Sequence, residues 1–486
     1  MRKRKPHRTM KTMLTIILVI LTVPFAACKV TGPQVPTDPA GPNKPSPGST
    51  PNVTPVPSGK IVNLMATLKA KPDIKVPETD AIRAAILNDF TARLIQAQLA
   101  ERENKQKNKE NFLLSPYVMQ SVLTMVANGA AGDTLTEMLA VLGGKAFSAG
   151  EAGKTIGGSQ ASATDKLRAL NELMLSTRRN SEREAQQLFI NGSIWYRTGD
   201  ADFRINPDFL QTNADYFGIP AFGAPFDDAT VKAMNDLVDK QTKGLVKEII
   251  EELKPDDCIA LFSTLLFEAK WLRPFESGYE VENWFTNIDG KKQTVRVMGG
   301  PVEPVFAVKG GQAVLRPYEG ENYGMLLILP DEGTLPTDLL KSWTADDWYG
   351  AIIDSQRDAG GRQKYASIAL PAFTFGTEVD DMMPALKAMD MNLVFSGDAD
   401  LSPMTLGTSD LFVSELGHKA KIVVNEQGTI AAAVGYAMVS KTSMPLDILN
   451  FDRPFAYAIV DLNTGVPYFV GAMNSIDETP PPTIKD

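Results

Sequence analysis

The sequence predicts a mixed α+β protein with a large share of β-sheet, and three observations support this class. About 43% of the 486 residues are apolar, so most of the chain can bury a core. Several apolar segments recur at helical spacing between helix-start and helix-stop residues. Two other segments have the pattern of β-hairpins. No internal repeat of 20–50 residues is visible, which argues against a solenoid.

The elements follow in chain order. Apolar residues recur at helical spacing in 81–95, and a second helical region, 115–142, begins at Ser115-Pro116 and breaks at Asn128-Gly129. We expect further helices at 203–217, 230–242 and 382–391, and a loop that contains a helix at 145–187. Strands are expected at 188–196, 258–271 and 366–375, and hairpins at 313–330 and 455–473.

The N-terminus has the pattern of a secretory signal. A basic segment precedes a short apolar run, 13–25, which is too short to span a membrane, and "AAC" ends at Cys28. This pattern resembles a bacterial lipoprotein box, so we expect residues 1–27 to be removed and Cys28 to carry a lipid. An ordinary cleavable signal is the alternative, because Phe25 stands where such boxes usually have Leu.

Removal of residues 1–27 would take away six of the 49 basic residues and none of the 58 acidic ones. The remaining chain is acidic, which argues against nucleic-acid binding. Residues 28–60 are rich in Pro, Ser and Thr and predict an extended tether. Cys258 is the one other cysteine, and we expect it to be a buried small apolar residue rather than a reactive thiol.

Enzyme signatures are weak. Beyond the signal the chain has one histidine, His418, and its serines and cysteines lie outside any G-x-S-x-G motif. One His and one Cys without ligand spacing predict no metal site, and no cofactor is expected. An Asp/Glu hydrolase stays a formal alternative.

Small residues dominate the stretch from Gly428 to Gly435. In a strand, one face would carry Thr429, Ala431, Ala433 and Gly435, all small. Such a face suits a strand that slides into a tight, existing slot. A flexible linker or a buried helix explains this stretch equally well when it is taken alone.

The flanking segments favour the strand. "HKAKIVVNEQGTIAAAV", from His418, and "FDRPFAYAIVDLNTGVPYFVGAM", from Phe451, resemble the serpins, as do "FEAKWLRPFE" and "YGMLLILPDEG" in the expected order. The resemblance covers about residues 78–477. It implies a serpin fold of three β-sheets, about nine helices and an exposed reactive-centre loop at about 426–450. We expect the domain at 61–477 and a tail at 478–486.

The resemblance also implies a mechanism. A protease cleaves the loop and becomes acylated, the loop inserts into a sheet, and the tethered protease is distorted before it can deacylate. The hinge that enters first corresponds to Glu426, Gly428, Thr429, Ile430, Ala431, Ala432, Ala433 and Val434.

The reactive bond has more than one candidate. The usual spacing from Glu426 gives Thr442, spacing from Pro454 gives Ser443, and Lys441 is the one basic residue nearby. We expect cleavage at Lys441-Thr442 or Thr442-Ser443, although Lys441 could equally be a solvated loop residue. The resemblance places a sheet-opening network at Ser115, Ser263, Trp271 and His418, with Val118 and Ser263 standing where relatives have Ser and Asn.

The expected function is therefore inhibition of serine endopeptidases by covalent trapping. Cysteine endopeptidases are a second candidate class of target. The expected partners are trypsin-like, elastase-like or subtilisin-like enzymes, and the membrane through the lipid on Cys28. We expect an exported monomer at a bacterial outer membrane or cell surface. A non-inhibitory serpin that acts as a binding or scaffold protein is the alternative. Such relatives usually carry bulky or charged hinge residues.

Overall fold

A computed structural model describes most of the chain from residue 80 onward and short parts before it. The described residues are 25–28, 59–64, 69–71, 74, 80–147, 161–183, 187–199, 204–275, 284–356, 364–377, 380–407, 410–429 and 447–476. They form nine α-helices, three sheets of four to eight strands and three two-stranded sheets. The mixed α+β class is confirmed.

Three of the helices begin where the sequence supplies a capping side chain. Ser115, Asn206 and Asp227 each accept a backbone hydrogen bond at a helix start. The helices are α1 (Asp80–Asn104), α2 (Pro116–Ala127), α3 (Gly132–Gly143), α4 (Ala163–Arg183), α5 (Pro207–Phe217), α6 (Asp228–Gln241), α7 (Pro336–Ser342), α8 (Ala345–Ile353) and α9 (Met383–Ala388).

A six-stranded sheet has the order β18-β1-β7-β4-β6-β2. Its long strands β4 and β7 are antiparallel, and β7 is more completely buried than β4, since both α2 and α6 pack against β7. Its strands are β1 (Phe25–Cys28), β2 (Val62–Asn63), β4 (Leu188–Arg197), β6 (Ala221–Ala224), β7 (Asp257–Phe267) and β18 (Leu411–Glu415).

An eight-stranded sheet has the order β22-β14-β11-β12-β13-β23-β24-β3. Both predicted hairpins, β12–β13 and β23–β24, lie side by side in it. Its strands are β3 (Phe112–Leu114), β11 (Val297–Val308), β12 (Gly311–Pro317), β13 (Tyr323–Pro330), β14 (Lys364–Pro371), β22 (Ile448–Asn450), β23 (Phe455–Asp461) and β24 (Pro467–Met473).

A four-stranded sheet, with the order β15-β20-β21-β8, connects the other two at the end where β7 finishes. Its strands are β8 (Ala269–Lys270), β15 (Phe373–Gly376), β20 (Lys421–Val424) and β21 (Gly428–Thr429). The two-stranded sheets pair β5 (Arg204–Ile205) with β17 (Thr405–Leu406), β9 (Trp284–Thr286) with β10 (Lys292–Thr294), and β16 (Asp380–Asp381) with β19 (Gly417–His418).

Two predicted single strands are interrupted. The run expected at 258–271 is divided at Glu268 into β7 and β8, and that expected at 366–375 is divided at Ala372 into β14 and β15. The interruption lets the chain leave one sheet and join the four-stranded one. The helix expected from 203 begins later, at Pro207, because β5 precedes it.

The N-terminal segments join the six-stranded sheet at two places. β2 pairs with the edge strand β6, and β1 lies between β18 and β7, where Ala27 pairs with Asp257. Cys258 is buried, as expected, but it is disulfide-bonded. The chain has two cysteines, so this bond and a lipid on Cys28 exclude one another. Among the described residues, every helix is too short or too polar to span a lipid bilayer.

Candidate functional site

The residues expected to form the hinge lead into a gap between two strands. β21 pairs antiparallel with β8, where Thr429 lies opposite Ala269, and with β20, where Thr429 lies opposite Val424. Thr429 therefore has a strand on each side. An additional strand that continued from it would run antiparallel to both neighbours.

A tight turn delivers the hinge into this gap. The Asn425 side-chain oxygen accepts hydrogen bonds from the backbone N–H groups of Gln427 and Gly428, at 2.9 and 3.1 Å. Asn side chains commonly stabilise turns in this way. The turn reverses the chain between β20 and β21 and holds the two strands in register.

Gly428 stands where only a glycine fits without movement. A Cβ at this position would lie 2.1 Å from the backbone oxygen of Ala269 and 2.8 Å from the Cα of Lys270. Both are backbone atoms of the neighbouring strand β8, so neither can rotate away. The close approach explains why the small-residue stretch begins with glycine.

Thr429 faces the core and is 1% exposed. Its hydroxyl lies 2.7 Å from the hydroxyl of Tyr318, which is itself fully buried. Burial raises the pKa of Tyr318 above its ordinary value, so this phenol stays protonated. The site accepts a small side chain with one hydroxyl and leaves no room for a charge.

Trp271 forms the floor beneath the hinge. Its ring stacks on Tyr318 with a centroid separation of 4.4 Å and an angle of 11°. Its indole N–H donates to the backbone oxygen of Asn425 at 2.9 Å, and its backbone N–H donates to that of Gln427 at 2.8 Å. Trp271 therefore holds the turn by two hydrogen bonds as well as by packing.

An ion cluster, buried at Arg316 and Glu303 and half-exposed at Arg273, supports the aromatic floor. Arg316 lies 3.9 Å from the ring centroid of Phe275 and 5.2 Å from that of Trp271, and it pairs with Glu303 at 3.2 Å. Arg273 pairs with the other oxygen of Glu303 at 2.6 Å. Cation–π contacts and a shared carboxylate together fix the rings beneath the hinge.

Burial shifts the pKa values of two members of this cluster. Burial lowers the pKa of Arg316 to about 10, and Glu303 opposes that shift. Burial likewise raises the pKa of Glu303, against the attraction of Arg316 and Arg273. Arg316 remains a cation at neutral pH, which its contacts with two aromatic faces require.

Glu426, the first hinge residue, is held by Arg296, which lies outside the cluster, and by Phe275, which belongs to it. Its carboxylate lies 3.4 Å from the guanidinium of Arg296, and its backbone oxygen accepts from Phe275 at 2.9 Å. The hinge is thus fixed at Glu426, Gly428 and Thr429. Ile430, Ala431, Ala432, Ala433, Val434, Lys441, Thr442 and Ser443 lie outside the described residues.

Beyond the hinge, a cavity of about 50 Å³ separates β7 from the chain between β18 and β20. Phe262 to Leu265 line one side and Leu416 to Lys421 line the other. We call this gap the slot. The name also covers the position farther along, between β7 and β18, that β1 occupies. The slot follows the line along which a strand continuing from Thr429 would lie.

Ser115 and His418 meet at the slot. The backbone N–H of Ser115 donates to Nε2 of His418 at 3.0 Å, and the Ser115 hydroxyl donates to the Tyr468 backbone oxygen at 2.8 Å. Ser263 lines the same cavity, but its hydroxyl donates to the backbone oxygen of Asn191 at 3.3 Å. Trp271 lies in the hinge cluster instead, so the four predicted residues occupy two places.

Two lysines cross the slot on the surface. Lys254, which precedes β7, pairs with Glu415 on β18. Lys419 donates to the backbone oxygen of Glu248, in the segment between α6 and β7, at 3.0 Å. These contacts join the two sides that an inserted strand would have to separate.

The sequence interpretation missed Tyr318, Arg316 and Glu303 as parts of the site. Tyr318 and Arg316 lie in a segment predicted only as a hairpin. A buried Arg in an apolar strand was the available signal, because such a residue needs a partner. The sequence offers no comparable signal for Glu303, which precedes a proline in the unpredicted strand β11.

The fold and the site define a mixed α+β protein in which the Gly428–Thr429 strand lies between two strands of an existing sheet. The family model described as "Serpin (serine protease inhibitor)" matches residues 85–476. The chain therefore belongs to the serpin family. Serpins are known as protease inhibitors and not as enzymes.

Similar proteins agree with this assignment. Mouse (Mus musculus) alpha-1-antitrypsin 1-3 is 27% identical over 405 residues, covering 80% of this chain and 88% of the relative. Sheep (Ovis aries) alpha-1-antiproteinase is 30% identical over 374 residues, covering 75% and 82%. The native structure of the thermophilic serpin tengpin is similar with a TM-score of 0.72 and 28% identity, covering 86% and 100%.

Proposed function

We propose that this protein inhibits serine endopeptidases by covalent trapping, in which the cleaved loop inserts into the slot. The observation that carries the proposal is the position of Thr429, which already has β8 and β20 on its two sides. Cleavage farther along the loop would free the following residues to continue the same pairing.

The free energy of the new hydrogen bonds supports a loop insertion that is effectively irreversible. Along β7 and β18 the inserted strand takes the position of β1, so in a chain from which residues 1–27 have been removed it gains a ladder on each side, and each bond contributes about 0.5–1.5 kcal/mol net. A dozen bonds would therefore stabilise the inserted form by on the order of 10 kcal/mol. The small residues at 431, 433 and 435 would enter without burying a charge.

The anchoring proposal is that the mature chain begins at Cys28 and is held by lipid to a bacterial outer membrane or cell surface. The tether at 28–60 would place the domain away from the membrane, to protect the envelope from proteases. This proposal requires the Cys258 disulfide of the structure to be absent from the mature form. Mass spectrometry of the membrane-extracted protein would decide it, since an acylated chain leaves Cys258 open to alkylation.

The central experiment uses the chain from Lys60 onward with trypsin, an elastase and subtilisin. We expect a band stable to denaturing electrophoresis at the summed mass of inhibitor and protease. Sequencing of the released C-terminal fragment would identify the bond: a start at Thr442 assigns Lys441, and a start at Ser443 assigns Thr442. Clean loop cleavage by all three enzymes, with full protease activity and no such band, would instead mean a non-inhibitory serpin.

We expect Lys254→Ala to speed loop insertion, because the variant loses an ion pair that joins the two sides of the slot. An exposed pair contributes about 0.2–1 kcal/mol, which corresponds to an increase of roughly 1.5-fold to 5-fold in rate. Stopped-flow fluorescence after mixing with protease measures this rate. Added salt should speed the parent toward the variant, because it screens the pair.

Lys232→Ala is the matched control, since Lys232 pairs with Asp236 within α6 and away from the slot. It should insert at the parental rate. Equal rates for Lys254→Ala and Lys232→Ala would show that the Lys254–Glu415 pair does not hold the slot closed.

A further inference from the structure

An apolar group of side chains covers one face of the eight-stranded sheet at its β22 edge. The register places Tyr365 opposite Pro304, and Ser367 opposite both Val302 and Ile448. Residues opposite one another share a face of the sheet. Val302, Pro304, Tyr365 and Ile448 therefore lie on one face, and we call them the edge patch.

The edge patch is exposed although its side chains are apolar. Tyr365 is 53% and Ile448 is 50% exposed, the two highest values among the large apolar residues of the described chain. Val302 and Pro304 are half-buried beside them. The opposite face is core, where Ala366 and Ile368 are buried and Glu303 pairs with Arg316. Clustered exposed apolar residues commonly mark an interaction site.

The reactive-centre loop ends at this patch. The backbone oxygen of Asp447 accepts a hydrogen bond from Ser367 at 2.9 Å, which fixes the end of the loop on β14. Ile448 follows directly and begins β22. The bonds proposed for cleavage lie only five to six residues before Ile448 in the sequence.

Chain length restricts where a protease can sit. Five residues span at most roughly 17 Å when fully extended. A protease domain of about 230 residues has a radius of gyration of roughly 17 Å. An enzyme that holds the reactive bond in its active site must therefore come close to the edge patch.

We propose that the edge patch is a secondary contact for the target protease, which adds affinity and selectivity beyond the reactive bond. This inference rests on the proposed inhibitory function. Tyr365 is suited to the role, because exposed Tyr combines a large contact area with little conformational entropy to lose, and interfaces are enriched in it. The partner surface should be apolar and lie at the rim of the protease cleft that binds residues after the cleaved bond.

The test measures the second-order rate constant of complex formation for trypsin, an elastase and subtilisin. We expect Tyr365→Ser and Ile448→Ser each to lower this constant for at least one of the three, by about fivefold to tenfold. The number of inhibitor molecules used per trapped protease should stay at the parental value. That number depends on insertion, which the patch does not touch.

Tyr349→Ser is the matched control. Tyr349 is 40% exposed and lies on α8 beside Gly465, in the turn that follows β23. β23 is five strands from β22, or roughly 24 Å. This variant should react at the parental rate. Ile448 borders Asp447, where the loop is fixed to β14. If Ile448→Ser lowers thermal stability, the result with Tyr365→Ser alone decides the test.

Several results would overturn the edge-patch proposal. Parental rates for Tyr365→Ser with all three proteases would exclude the edge patch as a protease contact and leave the proposed inhibitory function intact. Faster reaction of the variant would mean that the chain's own loop covers the patch. A parent that sediments as a dimer, with a monomeric Tyr365→Ser variant, would assign the patch to a second copy. If the parent traps no protease, the proposed function fails first, and that result is separately visible on the gel.

Discussion

Thr429→Arg should convert this protein from an inhibitor into a substrate. Thr429 is 1% exposed, lies between two strands, and has its hydroxyl 2.7 Å from that of Tyr318. An Arg there would have to bury a cation without a partner or leave the gap, and both stop the pairing from continuing. We expect the covalent band to be lost, which means at least a tenfold fall in the trapped fraction.

Loop cleavage separates this effect from simple unfolding. The variant should still be cut at the same bond, because the bait residues are unchanged, and the protease should be released active. Thr429→Ser is the matched control, since it keeps a small side chain with a hydroxyl, and it should trap protease as the parent does. A parental yield of complex from Thr429→Arg would show that insertion does not pass through this position.

Local sequence signals were enough to predict most of the helices and both hairpins. Ser115 before Pro116 and the Gly218 that ends α5 act through bonds within a few residues. The signals failed where a strand depends on its neighbours. β11 was not predicted because Gly299, Gly300 and Pro301 suggest a turn, yet pairing with β14 on both sides of that irregularity keeps the strand continuous.

The site divides in the same way. The small face that begins at Thr429 can be read from the sequence, because the side-chain period of a strand is two. The partner of the Thr429 hydroxyl cannot be predicted from the sequence, since Tyr318 is 111 residues away in the chain. The Glu303–Arg316 pair joins β11 to β12 and depends on a register that no local pattern specifies.

The edge patch shows a third kind of signal. Tyr365 and Ile448 are ordinary strand residues in sequence, and their exposure depends on which face of the sheet is covered. Alternation correctly places Ala366 and Ile368 together on one face. Only the assembled sheet shows that this face is the core and that the face with Tyr365 is open.

Cleavage of the loop should raise the thermal stability of the whole domain. On the order of 10 kcal/mol gained from two new ladders would raise Tm by about 10 °C, since 1 kcal/mol moves Tm by roughly 1 °C in a domain of 400 residues. Calorimetry before and after limited proteolysis measures the difference, with the cut confirmed by sequencing between Lys441 and Ser443.

The cleaved Thr429→Arg variant is the control for this rise, because it carries the same cut but should not insert. Its Tm should stay within a few degrees of its uncleaved form. A rise in the parent alone would tie the added stability to strands that continue from β21 along the slot. If the parent is cut at the expected bond and its Tm does not change, the hinge is held by Tyr318 and Trp271 without inserting. The protein would then be a serpin that binds partners rather than one that traps proteases.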